Sequence, residues 1–419
     1  MSDDGKTTGK YIAPLNRRRF LGGVSAAVLS ASTLRSFAST PNTSEGVSLS
    51  AGPRPLVRYP EKRELIRVHT RPPHLETPFE VFNESVITPN DAFFVRYHLA
   101  NFPTNIDPET FRLKVGGHVD KPLSLSLTDL KTMTDAQEVV AVNQCSGNSR
   151  GYFEPRVFGA QLGNGAMGNA RWTGAPLRAV LNSAGVRKGA QHVVFNGLDK
   201  PVLNTTPDFQ KSLEIDHALS AEPLLAWSMN GVDIPFLNGY PLKLIVPGYF
   251  GTYWVKHLSE ITVLDGMFTG QDAYFMTKGY RLPDNDCHCV EPGDAPSDTR
   301  PISRIPVRSF VTSISTGDLM PVKRDIELRG IAFDGGSGIN RVEVSIDNGQ
   351  LWQQAKLGND LGPYSFREWR LRTQFPVKGA TTVRVRANSK RGETQPERAT
   401  WNPGGYHRNV VETVEVMVS

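Results

Sequence analysis

Cys145 has the surroundings that most clearly call for chemistry. It lies in Asn143-Gln144-Cys145-Ser146-Gly147-Asn148-Ser149-Arg150, directly after the apolar run Glu138-Val-Val-Ala-Val142. A buried strand is therefore expected to deliver it into a polar, glycine-containing loop. A free cysteine is commonly a small core hydrophobe. Gln, Ser, Asn and Arg are poor core neighbours, however, and a nearby guanidinium favours the thiolate, the form that binds soft metals or attacks an electrophile. Only three cysteines occur, and Cys287 and Cys289 flank His288, a spacing that supports no disulfide framework. Cys145 is left as the single candidate centre. Gly147-Asn148-Ser149-Arg150-Gly151 also fits the Gly-x-Ser-x-Gly elbow of serine hydrolases. That elbow needs a helix directly afterwards, and Gly151-Tyr152-Phe153-Glu154-Pro155 breaks helical structure, which sets the hydrolase reading aside.

The elements that must hold this loop come from a chain of 419 residues, 39% hydrophobic and 21% charged, long enough for two domains and too apolar for disorder. The net charge of +5, spread over that length, is a weak pointer to anionic substrates or acidic partners. Asn16-Arg17-Arg18-Arg19-Phe20-Leu21, a weakly apolar run to Leu34 and the small-residue pattern Ser36-Phe37-Ala38 read as a twin-arginine export signal over residues 1–38. The expected location is the periplasm. The run is too short and too rich in Ser and Gly to span a bilayer, and no other segment reads as a membrane span. Twin-arginine export carries folded proteins, which suits a chain that takes up a cofactor in the cytoplasm.

Residues 39–78, rich in Ser, Gly and Pro as far as about Pro60, read as a linker or wrapping segment. Over residues 79–300, short strand-like runs such as Phe111–Val115 and Leu242–Pro247 alternate with brief helical stretches such as Pro176–Ala184, an α+β pattern. The short helices exclude a doubly wound sheet, and no Gly-rich nucleotide fingerprint appears. Pro, Asp and Ser cluster from Pro283 to Pro306. Residues 301–419 then alternate apolar and polar in Arg341–Ile346, Val383–Arg386 and Val414–Val418, with Asp347-Asn348-Gly349 as a tight turn. This part reads as a β-sandwich, and nothing catalytic stands out between Ile326 and Ala399. A reading of the whole chain as a binding module leaves the Cys145 loop without purpose.

An ordered series of motifs resembles the sulfite oxidase family of molybdopterin enzymes. It runs through Thr88-Pro89-Asn90-Asp91-Ala92-Phe93-Phe94-Val95-Arg96-Tyr97-His98, Asn143–Asn148, Gly163–Trp172, Gly239–Gly248, Trp254–Leu258 and Trp401–Tyr406. The resemblance implies an α+β molybdopterin-binding domain of the sulfite oxidase fold, followed by an all-β, immunoglobulin-like sandwich of the dimerisation type. It makes Cys145 the protein's ligand to molybdenum beside the two dithiolene sulfurs of one pterin, and the reaction an oxygen-atom transfer that turns sulfite into sulfate. Arg96 and Arg150 match the substrate arginines and Tyr280 the active-site tyrosine, with Tyr274 its neighbour in sequence. His98, Asp199, Asn238, Lys243, Gly251 and Lys256 match positions that hold the pterin. The lysines would bring charge to its phosphate, and Gly248 to Gly251 would let backbone amides come close.

Departures from animal members are Ser149 for the first of two arginines, Asn238 for a histidine, Gln161-Leu162 for a pocket tryptophan and Gly404 for a C-terminal arginine, with Arg408 nearby. No Cys-x-x-Cys-His occurs and nothing ahead of Phe79 reads as a cytochrome domain, so haem is not expected in this chain. The resemblance then implies a separate c-type cytochrome, as bound subunit or transient acceptor, and pairing of two copies through the C-terminal domain. No nucleic-acid partner is expected. Sulfoxide reduction and oxidation of protein-bound sulfane sulfur are the runner-up reactions. Two arginines and a tyrosine suit a small dianion better than a neutral sulfoxide.

Overall fold

The computed structural model describes residues 54–419. The expected export signal over 1–38 and the start of the 39–78 segment lie outside the described residues. From residue 54 onward that segment is not a plain linker. Leu56–Val57, Leu65–His69 and His74–Glu76 pair antiparallel, and Val95–Arg96 completes the sheet. Leu65, Leu75, Val95, Tyr97 and Leu237 form an apolar cluster on it. Leu65-Ile-Arg-Val-His69 carries the strand-forming residues, while the Pro-rich flanks dilute the signal in sequence. Glu76 is paired with Arg54 at 2.8 Å, with almost no solvent access on either side. The sheet matters because its last strand ends on Arg96.

Two further sheets build the α+β part. Gln210–Glu214, His192–Gly197, Leu258–Leu264, Leu113–Gly117 and Leu123–Leu125 form one, in that order. Val232–Asp233, Leu224–Met229, Met167–Pro176 and Gln137–Gln144 form the other, with Lys243–Ile245 added to Leu224–Met229. Gln137–Gln144 runs from an exposed start to five consecutive buried residues, Val140 to Gln144, in register with Met167–Pro176 from end to end. It therefore hands Cys145 to the interior, as its apolar run predicts. The helix Leu177–Ala184 buries Leu177, Val180, Leu181 and Ala184, spaced three and four apart, and Gly185 ends it at φ 70°. Leu177, Val180 and Leu181 each contribute roughly 2 kcal/mol of burial.

Beyond Thr299–Pro301 come the two sheets of the sandwich. One contains Arg308–Val311, Ile326–Phe333, Arg367–Thr373 and Lys356–Leu357; the other Leu319–Met320, Glu412–Val418, Gly379–Ser389, Ile339–Ser345 and Gln353–Gln354. Val383, Val385 and Ala387 face its core, as their alternation requires. Asn348 and Gly349 both have positive φ in the expected tight turn. The domain boundary expected at 300/301 falls within a strand, because Thr299–Pro301 pairs with Arg281–Pro283. Phe310, Ile331, Phe333 and Phe366 of the sandwich also belong to the apolar core of the α+β part. The fully buried Arg308 pairs with Glu412 within the sandwich at 2.7 Å and donates across this seam to Ser149 Oγ at 3.1 Å.

Candidate active site

Strand ends from three sheets of the α+β part meet at one cavity. Nine of the ten residues singled out from sequence line it: Arg96, His98, Cys145, Asp199, Asn238, Lys243, Gly251, Lys256 and Tyr280. Arg150 does not. Tyr274, the alternative to Tyr280, is 43% exposed and also lies outside the lining.

One wall is cationic. Lys243 sits at the start of its strand, with Nζ 4.8 Å from the ring centre of the fully buried Trp172 and 5.7 Å from that of Trp254. Lys256 donates to Leu237 O at 3.0 Å and lies over the Tyr97 ring. Lys62, unsuspected from sequence, donates to Asn90 O and Asn238 Oδ1, both at 2.5 Å. Burial pulls Lys62 and Lys243 down to about 7 and holds Lys256 well below the ordinary lysine value. Asp199 is the only carboxylate in the lining, and burial lifts it to about 6 against the pull of Lys256. Two lysines and one carboxylate in the lining, with Lys62 bonded to the lining residue Asn238, leave a surplus of charge that an anionic group, such as the pterin phosphate, would neutralise.

This arrangement fixes a pH dependence. The unfolded chain keeps its lysine protons to about pH 10, whereas folded Lys62 and Lys243 release theirs near 7, so stability rises with pH across that window and levels off below it. The melting temperature of cofactor-free protein should therefore climb between about pH 7 and about pH 9, and that of loaded protein should stay flatter. Parallel profiles for the two forms would contradict a phosphate on these lysines.

The opposite wall surrounds Cys145. Its N–H donates to Ala166 O at 2.9 Å, and its carbonyl accepts from Asn148 N at 3.0 Å, which fixes the loop. Asn143 Oδ1, Ser146 Oγ and Thr252 Oγ1 are buried there without a partner among the described residues. Each such atom costs about 1–3 kcal/mol unless a ligand satisfies it. At Gly251 any side chain would collide with Asn143 Oδ1, so glycine keeps this wall thin. Among the described residues no group of three His, Cys, Asp or Glu side chains could hold a metal. A metal on Cys145 would thus take its remaining ligands from a cofactor. The free thiol, the unsatisfied polar atoms and the lysines together fit a pterin that carries both sulfur ligands and a phosphate.

Tyr280 stands between the walls. Arg96 Nη2 donates to its hydroxyl at 3.3 Å, and His98 Nε2 is hydrogen-bonded to the same oxygen. Arg96 Nη1 is anchored on Tyr97 O. Burial pushes the Tyr280 phenol well above its ordinary value and pushes His98 well below its own, Arg96 adding to the second shift. The phenol is therefore protonated and the imidazole neutral. The His98 ring stacks on Phe209 at 3.5 Å, which places it with Tyr280 as much as with a cofactor.

Arg150 is turned away from the cavity lining. Its Nε donates to Gly404 O at 3.0 Å, Nη1 to Ala160 O at 3.4 Å, and the guanidinium lies 5.1 Å from the Tyr406 ring centre. Gly147 and Gly159 wall it in: a Cβ on either would meet guanidinium atoms at 2.8 and 2.9 Å. Its charge still acts on the Tyr280 phenol, together with those of Arg96 and Cys145. Arg408 does not stand in for the missing C-terminal arginine, because it pairs with Glu412 at 2.9 Å and lies over Tyr152. Ser149 is fully buried and donates to Asn164 Oδ1 at 2.6 Å, so it presents no hydrolase nucleophile. Cys287 and Cys289 form a disulfide with each other, which leaves Cys145 as the free cysteine.

Residues 99–271 match the family described as oxidoreductase molybdopterin binding domain, and residues 299–419 match the Mo-co oxidoreductase dimerisation domain. Mitochondrial sulfite oxidase of Rattus norvegicus is 33% identical over 384 residues, covering 87% of this chain and 68% of its own length. Sulfite oxidase of Gallus gallus is 33% identical over 368 residues, covering 84% and 78%. The solved structure of sulfane dehydrogenase SoxCD from Paracoccus pantotrophus superposes with a TM-score of 0.69 at 23% identity, over 88% of this chain and 92% of that one, and shows the same fold. Both domains follow in family order and the relatives extend over most of the chain, so this protein belongs to the sulfite oxidase family of molybdenum-cofactor oxidoreductases that act on sulfur compounds.

Proposed function

We propose that this protein oxidises sulfite to sulfate in the periplasm and passes the electrons to a separate c-type cytochrome. The observation that carries the reading is the convergence of Arg96, Tyr280 and His98 on the cavity that Cys145 lines. A molybdenum-pterin group held by Cys145, Lys243, Lys256, Asn238 and Gly251 would supply two-electron oxygen-atom transfer. The chain's own task is to bind and orient a small dianion. Arg96 is fixed in advance by Tyr97 O and Tyr280, so little ordering remains when an oxyanion arrives. The Tyr280 phenol, kept protonated by burial, donates a hydrogen bond to that oxyanion, and neutral His98 is placed to exchange a proton with it. A neutral sulfoxide would gain little from this charge.

The twin-arginine pattern ahead of residue 38 supports export, and the absence of a haem-attachment motif supports an external acceptor. Pairing of two copies through the sandwich is supported by its family match and by Leu319 and Met417, register partners that are 72% and 45% exposed. Arg96→Ala tests the substrate. The KM for sulfite should rise by about tenfold to a hundredfold with a smaller loss in kcat, because a charge-assisted contact to the dianion is lost. An unchanged KM would remove sulfite from this pocket.

A further inference from the structure

We propose that Tyr406, delivered by the C-terminal sandwich domain, is a positioning residue of the active site whose ring packs on Arg150 and holds Tyr280. The segment Trp401–Tyr406 folds back onto the α+β part, where Trp401 Nε1 donates to Pro155 O at 2.8 Å. Buried Asn402 clamps the turn at both ends: its Nδ2 donates to Tyr406 O at 2.8 Å, and Tyr406 N donates to its Oδ1 at 3.1 Å. Gly405 has φ 58°, and a Cβ there would meet Arg150 Cγ at 2.8 Å, so only glycine lets the turn come this close to Arg150. The preceding carbonyl, Gly404 O, takes Arg150 Nε. The turn is thus shaped around one guanidinium.

Tyr406 then faces Arg150 and Tyr280. Arg150 lies over its ring at 5.1 Å, and the Tyr280 ring stacks on it at 5.5 Å and 27°. Tyr280 has φ 57°, a left-handed conformation that a tyrosine keeps only where its surroundings impose it. The stacked Tyr406 ring is one of those constraints. Arg96 and Cys145 are also within electrostatic reach of Tyr406. The ring thus sets the angle at which the Tyr280 phenol enters the cavity, with Arg150 held on the same ring outside the lining.

The test compares molybdenum-loaded wild type, Tyr406→Phe and Tyr406→Leu at matched metal content and melting temperature, by sulfite kinetics and by crystallography. The phenylalanine variant, which keeps the ring, should hold kcat and the KM for sulfite within about twofold of wild type. The leucine variant should lose about tenfold in kcat, and its crystal structure should show the Tyr280 phenol displaced and the Arg150 guanidinium shifted from Gly404 O. A leucine variant with kcat within about twofold of wild type or with Tyr280 unmoved, or a tenfold fall in kcat in the phenylalanine variant, would overturn the assignment. If the leucine variant does not fold, Tyr406→Met takes its place with the same expected and overturning results. The kinetic readout rests on the sulfite reading and the crystallographic one does not. A wild type inactive on sulfite would therefore defeat the reading of the substrate and leave the role of Tyr406 to be decided by the position of Tyr280.

Discussion

Cys145→Ser should reduce kcat by at least about a thousandfold while the pterin stays bound, since changes even beyond the direct ligands of a metal commonly cost ten- to a hundredfold. A hydroxyl is a harder and more weakly acidic donor than a thiol, so it cannot replace a soft thiolate on the metal. The rest of the cavity is untouched by the change. Lys243, Lys256, Asn238 and Gly251 come from other strands and turns, and the Cys145 loop is held by backbone bonds to Ala166 and Asn148. Extraction of pterin from the purified variant, beside sulfite-dependent reduction of ferricyanide, separates loss of chemistry from loss of cofactor. A serine variant that keeps a tenth or so of the wild-type rate would show that the residue is structural.

Lys243→Met should have the opposite signature. Methionine keeps the length and removes the charge, so molybdenum per chain should fall by about tenfold or more with the loss of a charge-assisted phosphate contact. The cofactor-free protein should at the same time melt higher. In that state Lys243 is a fully buried amine between two indole rings, with neither a carboxylate nor a carbonyl bonded to it, and burial holds it near 7. Taking away an unpaired buried cation stabilises a fold even where it disables the site. A methionine variant with full molybdenum content would place the phosphate elsewhere, with Lys62 and Lys256 the next residues to examine.

Cys145 and its setting were legible in sequence for a physical reason: an apolar run that ends in Asn, Gln, Ser and Gly leaves a strand end as the only economical structure, and a thiol there needs a task. The sandwich was legible because period-two alternation from Arg341 onward is a local signal. The orientation of Arg150 was not. Its neighbours Gly159 and Gly404 lie 9 and 254 residues away, and no local pattern reveals that glycines close it into a cage behind the cysteine loop. Lys62 was hidden by the Pro-rich composition around it, although its Nζ reaches Asn238, 176 residues on. Phe209, stacked on His98, carries no sequence signal beyond being aromatic. Residue chemistry and strand ends were readable, whereas contacts closed by long loops and by the second domain had to be seen.

The most direct test of the central claim uses purified protein from a cofactor-competent cell, with molybdenum per chain measured by mass spectrometry and sulfite-dependent reduction of cytochrome c assayed in the same sample. The account predicts about one molybdenum per chain together with sulfite-dependent reduction. Well-folded protein from a cofactor-competent cell that contains no molybdenum, or molybdenum-loaded protein that leaves cytochrome c oxidised when sulfite is added, would contradict it.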